Sequence, residues 1–225
     1  MLWAAAYLCY WRQSCGSCIA GATPSVEIRS CFLYIDKSRQ LLLKFKHGDA
    51  LHLNLLFAHF LQAPFTTLAE ADRLIVPIPR HAKRYLHRRF NQLAELARLV
   101  CHQNETGIFA PRALTRPKAG PKQARLTRSQ RQRNLAGAFA VPQDQRHRTA
   151  NRLVLLIDDV MTTGVTLYEA AKTLHRAGSG PIRGLVLARV LRHGLYPLFC
   201  GAGFSIECCD RRRVLQYDIL VFQNY

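Results

Sequence analysis

The sequence predicts an α/β protein: a parallel sheet flanked by helices. Three observations predict it. Leu153-Val154-Leu155-Leu156-Ile157 is an unbroken aliphatic run. Such a run reads as a strand covered on both faces, which is the environment of a parallel sheet. Ile182–Val190 reads as a second core strand. Between them, Leu167, Ala170, Ala171 and Leu174 recur at helical spacing, with Gly178 placed as a C-terminal stop. Strand, helix and strand make a βαβ unit with an expected right-handed crossover. In such sheets a ligand is expected at the C-terminal ends of the strands.

The remaining elements follow in chain order. Residues 1–35 bear cysteines and read as irregular, a truncated or degenerate Cys-knuckle segment. Residues 36–70 read as a helical connector. Its apolar faces over 38–62 are Leu41, Leu42 and Phe45, then Leu53, Leu56, Phe57 and Phe60, around a break at Gly48-Asp49. The main domain spans 71–190. It opens with a short strand, Arg73–Val76, which Pro77-Ile78-Pro79 ends because proline cannot continue a central ladder. Phe90–His102 is an amphipathic helix carrying Leu93, Leu96, Ala97 and Val100. Residues 115–134 hold no long apolar run and read as a mobile loop or an exposed helix. Phe139–Val141 reads as a minor strand. The stretch 191–225 is a basic tail with strands expected at Phe204–Cys208 and Val214–Phe222. Its role is open between an added edge hairpin, a disordered basic tail and an altered end.

Charge is the unusual feature of the composition. The 225 residues carry 32 Lys+Arg against 14 Asp+Glu, a net charge of +18. Such an excess favours polyanionic partners, nucleic acid before an acidic membrane face. The cations are clustered. Between Asp72 and Glu95 lie Arg73, Arg80, Lys83, Arg84, Arg88 and Arg89 with no acid, and from Arg112 to Arg133 there are eight Lys/Arg and no acid. Arg84, Arg88, Arg89, Arg125, Arg128 and Arg131 are the candidate nucleic-acid contacts, with Tyr85 and Phe90 close enough in sequence to stack on bases. Single-stranded DNA is the expected partner. Met1–Trp11 is apolar but too short to span a bilayer, and no basic stretch precedes it, so neither a membrane span nor a signal peptide is expected. A cytoplasmic location follows, with the eight cysteines mostly as thiols or metal ligands.

The chemistry concentrates where the first core strand ends. Asp158 and Asp159 are expected at its terminus, followed by Val160-Met161 and the loop Thr162-Thr163-Gly164-Val165-Thr166. A small polar loop before a helix offers N–H groups and hydroxyls at the positive helix end, which suits a phosphate. Gly164 allows close approach of backbone to ligand. The two carboxylates can accept hydrogen bonds from vicinal hydroxyls or help hold a hydrated divalent cation. A phosphorylated sugar satisfies all three features. Other phosphate fingerprints are missing: there is no G-x-x-x-x-G-K-[ST] run, and Gly201-Ala202-Gly203 lacks the third glycine of a dinucleotide site.

This strand-loop-helix unit resembles the phosphoribosyl-diphosphate (PRPP) signature of type I phosphoribosyltransferases. Further motifs occur in a fixed order: Val76-Pro77-Ile78-Pro79, Arg89-Phe90-Asn91-Gln92, Arg116 with Gln123, Arg131-Gln132-Arg133-Asn134, and Gly137-Ala138-Phe139. Together they resemble the ComF family, a phosphoribosyltransferase-like group associated with DNA uptake in natural competence. The resemblance covers roughly residues 31–190. It implies that Thr162, Thr163, Gly164, Val165 and Thr166 cradle the 5-phosphate and that Asp158 and Asp159 engage the ribose hydroxyls. It places pyrophosphate by Pro79 and Arg80. Arg116 and Arg131 belong to a basic segment resembling the loop that closes over such sites, and with the two acids they are the candidate catalytic residues. Mg²⁺ with PRPP is the implied cofactor. The expected role is DNA uptake or utilisation, with phosphoribose passed to an unidentified acceptor and proteins of the uptake machinery as partners. Two alternatives stand beside it: a non-catalytic single-stranded-DNA-binding module using the pocket as a PRPP or nucleotide sensor, and a purine or pyrimidine salvage transferase.

Two departures from the family pattern bear on metal and tail. Relatives carry two Cys-x-x-Cys knuckles. Here only Cys15-Gly16-Ser17-Cys18 is complete, with Cys9 and Cys31 as stray candidates. A tetrahedral zinc site needs four ligands, so zinc is expected below full occupancy. The family pattern ends near the last core strand and offers no account of the tail.

Overall fold

The computed structural model describes residues 26–47, 52–68, 72–79, 91–117 and 137–190, together with the strand segments 204–205, 208–210 and 213–219. In chain order the elements are β1 (Val26–Leu33), α1 (Asp36–His47), α2 (His52–Thr67), β2 (Leu74–Pro77), α3 (Gln92–Asn104) and β3 (Ile108–Phe109). A 3-10 turn at Gln143–Gln145 leads into the short α4 (Arg146–Thr149). Then come β4 (Val154–Met161), α5 (Val165–Arg176), β5 (Ile182–Arg189), β6 (Phe204–Ser205), β7 (Cys208–Asp210) and β8 (Arg213–Ile219).

The predicted fold class is borne out. The sheet runs β3-β2-β4-β5-β1-β8-β6, with β7 pairing β8. Every pair from β3 to β8 along this path is parallel. Only β6 and β7 run antiparallel to β8. The aliphatic run predicted as the first core strand is indeed central: Val154, Leu155, Leu156 and Ile157 are fully buried. Parallel pairing with β2 on one side and β5 on the other closes both edges of the strand, and helices packed on the sheet cover its faces.

One core strand was not expected. Val26–Leu33 lies in the stretch read as irregular, yet β1 sits inside the sheet between β5 and β8. Glu27 and Arg29 interrupt its apolar pattern. The structure neutralises them by pairing: Arg29 Nη2 lies 2.6 Å from Glu27 Oε1, and Arg183 Nε lies 3.2 Å from Glu27 Oε2. Gly184, paired with Ile28, lets β1 and β5 come together; a Cβ there would lie 2.8 Å from Ile28 Cγ1.

The predicted helix over 38–62 is two helices, with the Gly48-Asp49 break falling between them. On α2 the four-residue spacing of Leu53, Phe57, Leu61 and Phe65 forms the buried stripe. Its aromatic rings pack edge-on: Phe45 on Phe57 at 5.0 Å and Phe32 on Phe60 at 5.1 Å between centroids. α3 begins two residues later than predicted because Asn91 caps it, Oδ1 accepting from the Ala94 N–H at 3.3 Å. The α5 stop at Gly178 is as expected. Gly178 has φ +90°, its N–H donates to the His175 carbonyl, and the Ser179 N–H donates to that of Leu174, the Schellman pattern. The minor strand expected at Phe139–Val141 is a single bridge, Thr115 to Ala140. In the tail, the strand expected at Phe204–Cys208 is two shorter pieces, and Val214–Phe222 corresponds to β8. Among the tail strands β8 therefore extends the parallel sheet beyond β1, and β6 and β7 add antiparallel pairs to it.

Candidate functional site at the strand switch point

The chain leaves β2 through α3 toward β3 and leaves β4 through α5 toward β5, in opposite directions along the sheet. A crevice opens between β2 and β4 at their C-terminal ends, the switch point at which open α/β sheets bind ligands. Right-handed crossovers in opposite directions place α3 and α5 on opposite faces. In register, Pro77 pairs with Ile157, and the Ile78 N–H donates to the Ile157 carbonyl at 2.8 Å. Pro79 and the Asp158–Gly164 segment thus lie at the same edge of the sheet.

The acids are not where the sequence reading put them. β4 continues to Met161, so Asp158 and Asp159 lie within the strand and not beyond it. The added length comes from pairing with β5, where Asp158 opposes Val186, Val160 opposes Ala188 and Met161 opposes Arg189. Strand alternation then sends the two carboxylates to opposite faces. Asp158 is half-buried, and its Oδ1 accepts from the Asp159 N–H at 2.9 Å. Asp159 is buried; its Oδ1 accepts from the Val160 N–H at 2.7 Å and its Oδ2 pairs with Lys46 Nζ at 3.2 Å.

The loop is shorter than predicted, because Val165 and Thr166 already belong to α5. Gly164 precedes the helix with φ +72°, a left-handed conformation that glycine adopts without a Cβ penalty. Its carbonyl accepts from the Tyr168 N–H at 2.9 Å, closing the first turn. Thr162 is exposed, Thr163 and Thr166 are half-buried, and Val165 is in the core. A contribution of Val165 to a ligand is therefore limited to its backbone N–H. The first N–H groups of α5 have no partner within the helix, and they open on the same edge as the acids.

Two residues here were not singled out from sequence. Lys46, near the end of α1, reaches Asp159 across a long stretch of chain. Arg189 ends β5 beside Met161, almost fully buried, and its carbonyl accepts from the Tyr34 N–H at 2.7 Å. For Arg189 a signal existed: a cation inside an aliphatic strand must be paired in the interior. Lys46 had none, because only the fold brings it to β4.

Arg116 stands at the base of the basic segment and not in its middle. The Thr115 N–H donates to the Ala140 carbonyl at 2.8 Å and the Ala140 N–H returns the bond at 3.0 Å. The Arg116 guanidinium lies over the Phe139 ring at 5.6 Å. The bridge ties both ends of the excursion beside the strand edge that β3 occupies. Arg125, Arg128 and Arg131 within it, and Arg80, Arg84, Arg88 and Arg89 after β2, lie outside the described residues. Arg73, counted in the first basic run, belongs to the interior. It is 1% exposed, lies over the Phe65 ring at 4.3 Å and donates from Nη1 to the Leu68 carbonyl at 3.0 Å.

Cys15 and Cys18 also lie outside the described residues. Cys31, a stray candidate ligand, is wholly buried on β1, with Sγ 3.4 Å from the Phe60 carbonyl, and burial pushes its thiol far above the usual range. A zinc ligand must be a thiolate, so Cys31 does not fit that role. Among the described residues no cluster of three His, Cys, Asp or Glu forms a metal site, and no helix is long and apolar enough to cross a membrane.

No protein-family model matches the chain. Among solved structures it is similar to one described as "Analysis of an invariant aspartic acid in HPRTs-glutamine mutant", at 13% identity over 68% of each chain with a TM-score of 0.35. The corresponding glutamic acid mutant gives 14% identity, 72% and 74% coverage and the same TM-score. That level of likeness adds nothing to the fold class, which the parallel sheet itself defines. Among sequences, the chain is 28% identical over 188 residues to competence protein F of Haemophilus influenzae, covering 80% of each. It is 29% identical over 187 residues to the DNA utilization protein YhgH of Escherichia coli K12, covering 79% of this chain and 78% of that one. Competence protein ComFC of Streptococcus pneumoniae is 26% identical over 164 residues, 73% of this chain and 69% of that one. The resemblance carried by the motifs is thereby borne out: over most of its length this chain is similar to proteins named for competence and DNA utilization.

Proposed function

We propose that this chain binds PRPP with Mg²⁺ in the crevice between β2 and β4 and acts in DNA uptake or utilisation, passing phosphoribose to an acceptor. The observation that carries the reading is the unit Asp158–Thr166. It joins two acids in the C-terminal half of a central strand, a left-handed glycine and the first turn of α5 at the switch point. The α5 N-terminus and the hydroxyls of Thr162, Thr163 and Thr166 would take the 5-phosphate. Asp158 and Asp159 would accept from the ribose hydroxyls. The turn at Pro79 and Arg80 would lie against the diphosphate.

The donor chemistry fits the metal. Mg²⁺ keeps most of its water and is held by one or two carboxylates together with substrate phosphate oxygens. Asp158, half-buried at the crevice, would hold it in that way. The ion would neutralise charge on the departing diphosphate. In the transfer itself the bond from ribose C1 to the diphosphate oxygen breaks and a bond from C1 to the acceptor forms. Arg116 and Arg131 would add positive charge where the diphosphate leaves. The role in DNA use draws on the names of the homologues, and on the basic runs, which suit a polyanion.

Calorimetric titration of PRPP in the presence of Mg²⁺ tests the pocket. Saturable binding at about one site per chain is the expected outcome, because a sheet of this kind has one such switch point. An assay of diphosphate release against a panel of bases, nucleotides and single-stranded DNA tests transfer. Binding without release under every acceptor would favour the sensor reading, in which the pocket reports PRPP and the basic segments hold DNA. Absence of binding would remove the pocket from the account.

A further inference from the structure

We infer that Lys46 is a positioning residue of the candidate site, holding the Asp159 carboxylate in the orientation from which it meets the ligand. The inference rests on the PRPP reading of the crevice and assigns a part to a residue that no motif marks. Asp159 and Asp158 are adjacent, but the strand turns their side chains to opposite faces. Asp158 is set by the backbone N–H that follows it. Asp159 is set from two sides, by the Val160 N–H on Oδ1 and by Lys46 Nζ on Oδ2. Its side chain is 10% exposed, whereas that of Lys46 is 29% exposed. A polar group that deep in the protein needs hydrogen-bond partners. Lys46 supplies one from α1 while its stem crosses the rim.

The pair also contributes to folding, since removing the partner of the nearly buried Asp159 costs stability, but its place in the sheet points to the site. The ion pairs of Glu27, with Arg29 within β1 and with Arg183 of β5, lie near the opposite edge of the sheet, close to the strand starts. Lys46 instead acts at the C-terminal edge, three residues before the Thr162 loop. Its effect is to fix the orientation of one acid and to lower the negative charge of the pair where a polyanionic ligand must enter.

The test is a double-mutant cycle read by calorimetry with PRPP and Mg²⁺ on the full chain. Lys46→Met should weaken PRPP roughly tenfold, the range of a hydrogen bond to a charged group. Lys46→Arg should restore affinity to within about threefold, because the cation and its donors are kept. Lys46→Met in an Asp159→Asn background should add no further loss, since the group it orients is already altered. Circular dichroism checks folding; if Lys46→Met does not fold, Lys46→Gln takes its place under the same criteria. Wild-type affinity in Lys46→Met, or losses that simply add in the double variant, would overturn the inference while leaving the pocket intact. Wild-type protein that binds no PRPP would overturn the pocket reading and the inference with it.

Discussion

Thr163 sits half-buried between the end of β4 and the left-handed Gly164. A glutamate there would point negative charge at the place proposed for the 5-phosphate. At about 4 Å and an effective dielectric near 20, the repulsion is roughly 4 kcal/mol, so Thr163→Glu should lower PRPP affinity at least about a hundredfold. The fold should survive, because the residue lies at the rim, and a melting curve checks that. Equal affinity in the folded variant would exclude the pocket. Cys31 gives a second residue-scale test. Burial holds its thiol far above the usual range, and only the thiolate reacts. Native protein should leave Cys31 unalkylated while denatured protein is labelled, as peptide mapping would read; fast native labelling would mean that β1 is not docked. Cys101, half-buried with its thiol also raised by burial, should label at an intermediate rate. At this scale the short polar loop Thr162–Gly164 before α5 was legible in the chain, since a local strand-loop-helix pattern encodes it. Lys46 was not, because its partner lies on a distant strand.

Among the elements, β4 and α5 carry the site and β1 closes the sheet beside them. Leu156 is fully buried at the centre of β4. Leu156→Ala should cost about 2–5 kcal/mol, as large-to-small changes in packed cores do, visible as a lower denaturant midpoint. Gly184→Ala probes the contact of β1 with β5. Its Cβ would meet Ile28 Cγ1 at 2.8 Å, and overpacking of that kind costs about 1–3 kcal/mol. A neutral Gly184→Ala would mean that Ile28 gives way and that close approach is not required. β4 was readable from its unbroken aliphatic run and β5 from its aliphatic stretch Leu185–Ala188. β1 was not, because Glu27 and Arg29 break the run and are made tolerable by pairing with each other and with Arg183. The end of β4 was misplaced for a related reason. Its last residues, Asp158 to Met161, are strand because β5 pairs them, not because they prefer it.

For the whole molecule, the net charge of +18 predicts salt-sensitive binding to single-stranded DNA with little dependence on sequence. Replacing Arg125, Arg128 and Arg131 together by Ala should flatten the slope of log affinity against log salt by about two units, at close to 0.7 per phosphate contact on single strands. An unchanged slope would take this segment off the DNA-binding face. Not every cation is free to serve there. Arg29, Arg73 and Arg189 are buried, so the charge available to a polyanion is smaller than the composition implies.

The sequence by itself determined the parallel fold class, the core strands β4 and β5, the helix α5 with its Gly178 stop and the small polar loop that opens it. Each of these is a local pattern of residue type and period, readable without a partner. Tertiary structure alone decided that β1 is an inner strand, that Asp158 and Asp159 lie within β4 facing opposite sides, that Arg73 and Cys31 are interior, and that Lys46 reaches Asp159. These depend on pairing between segments far apart in the chain. A charge or a strand end acquires its partner only when the sheet assembles, and no local preference records it.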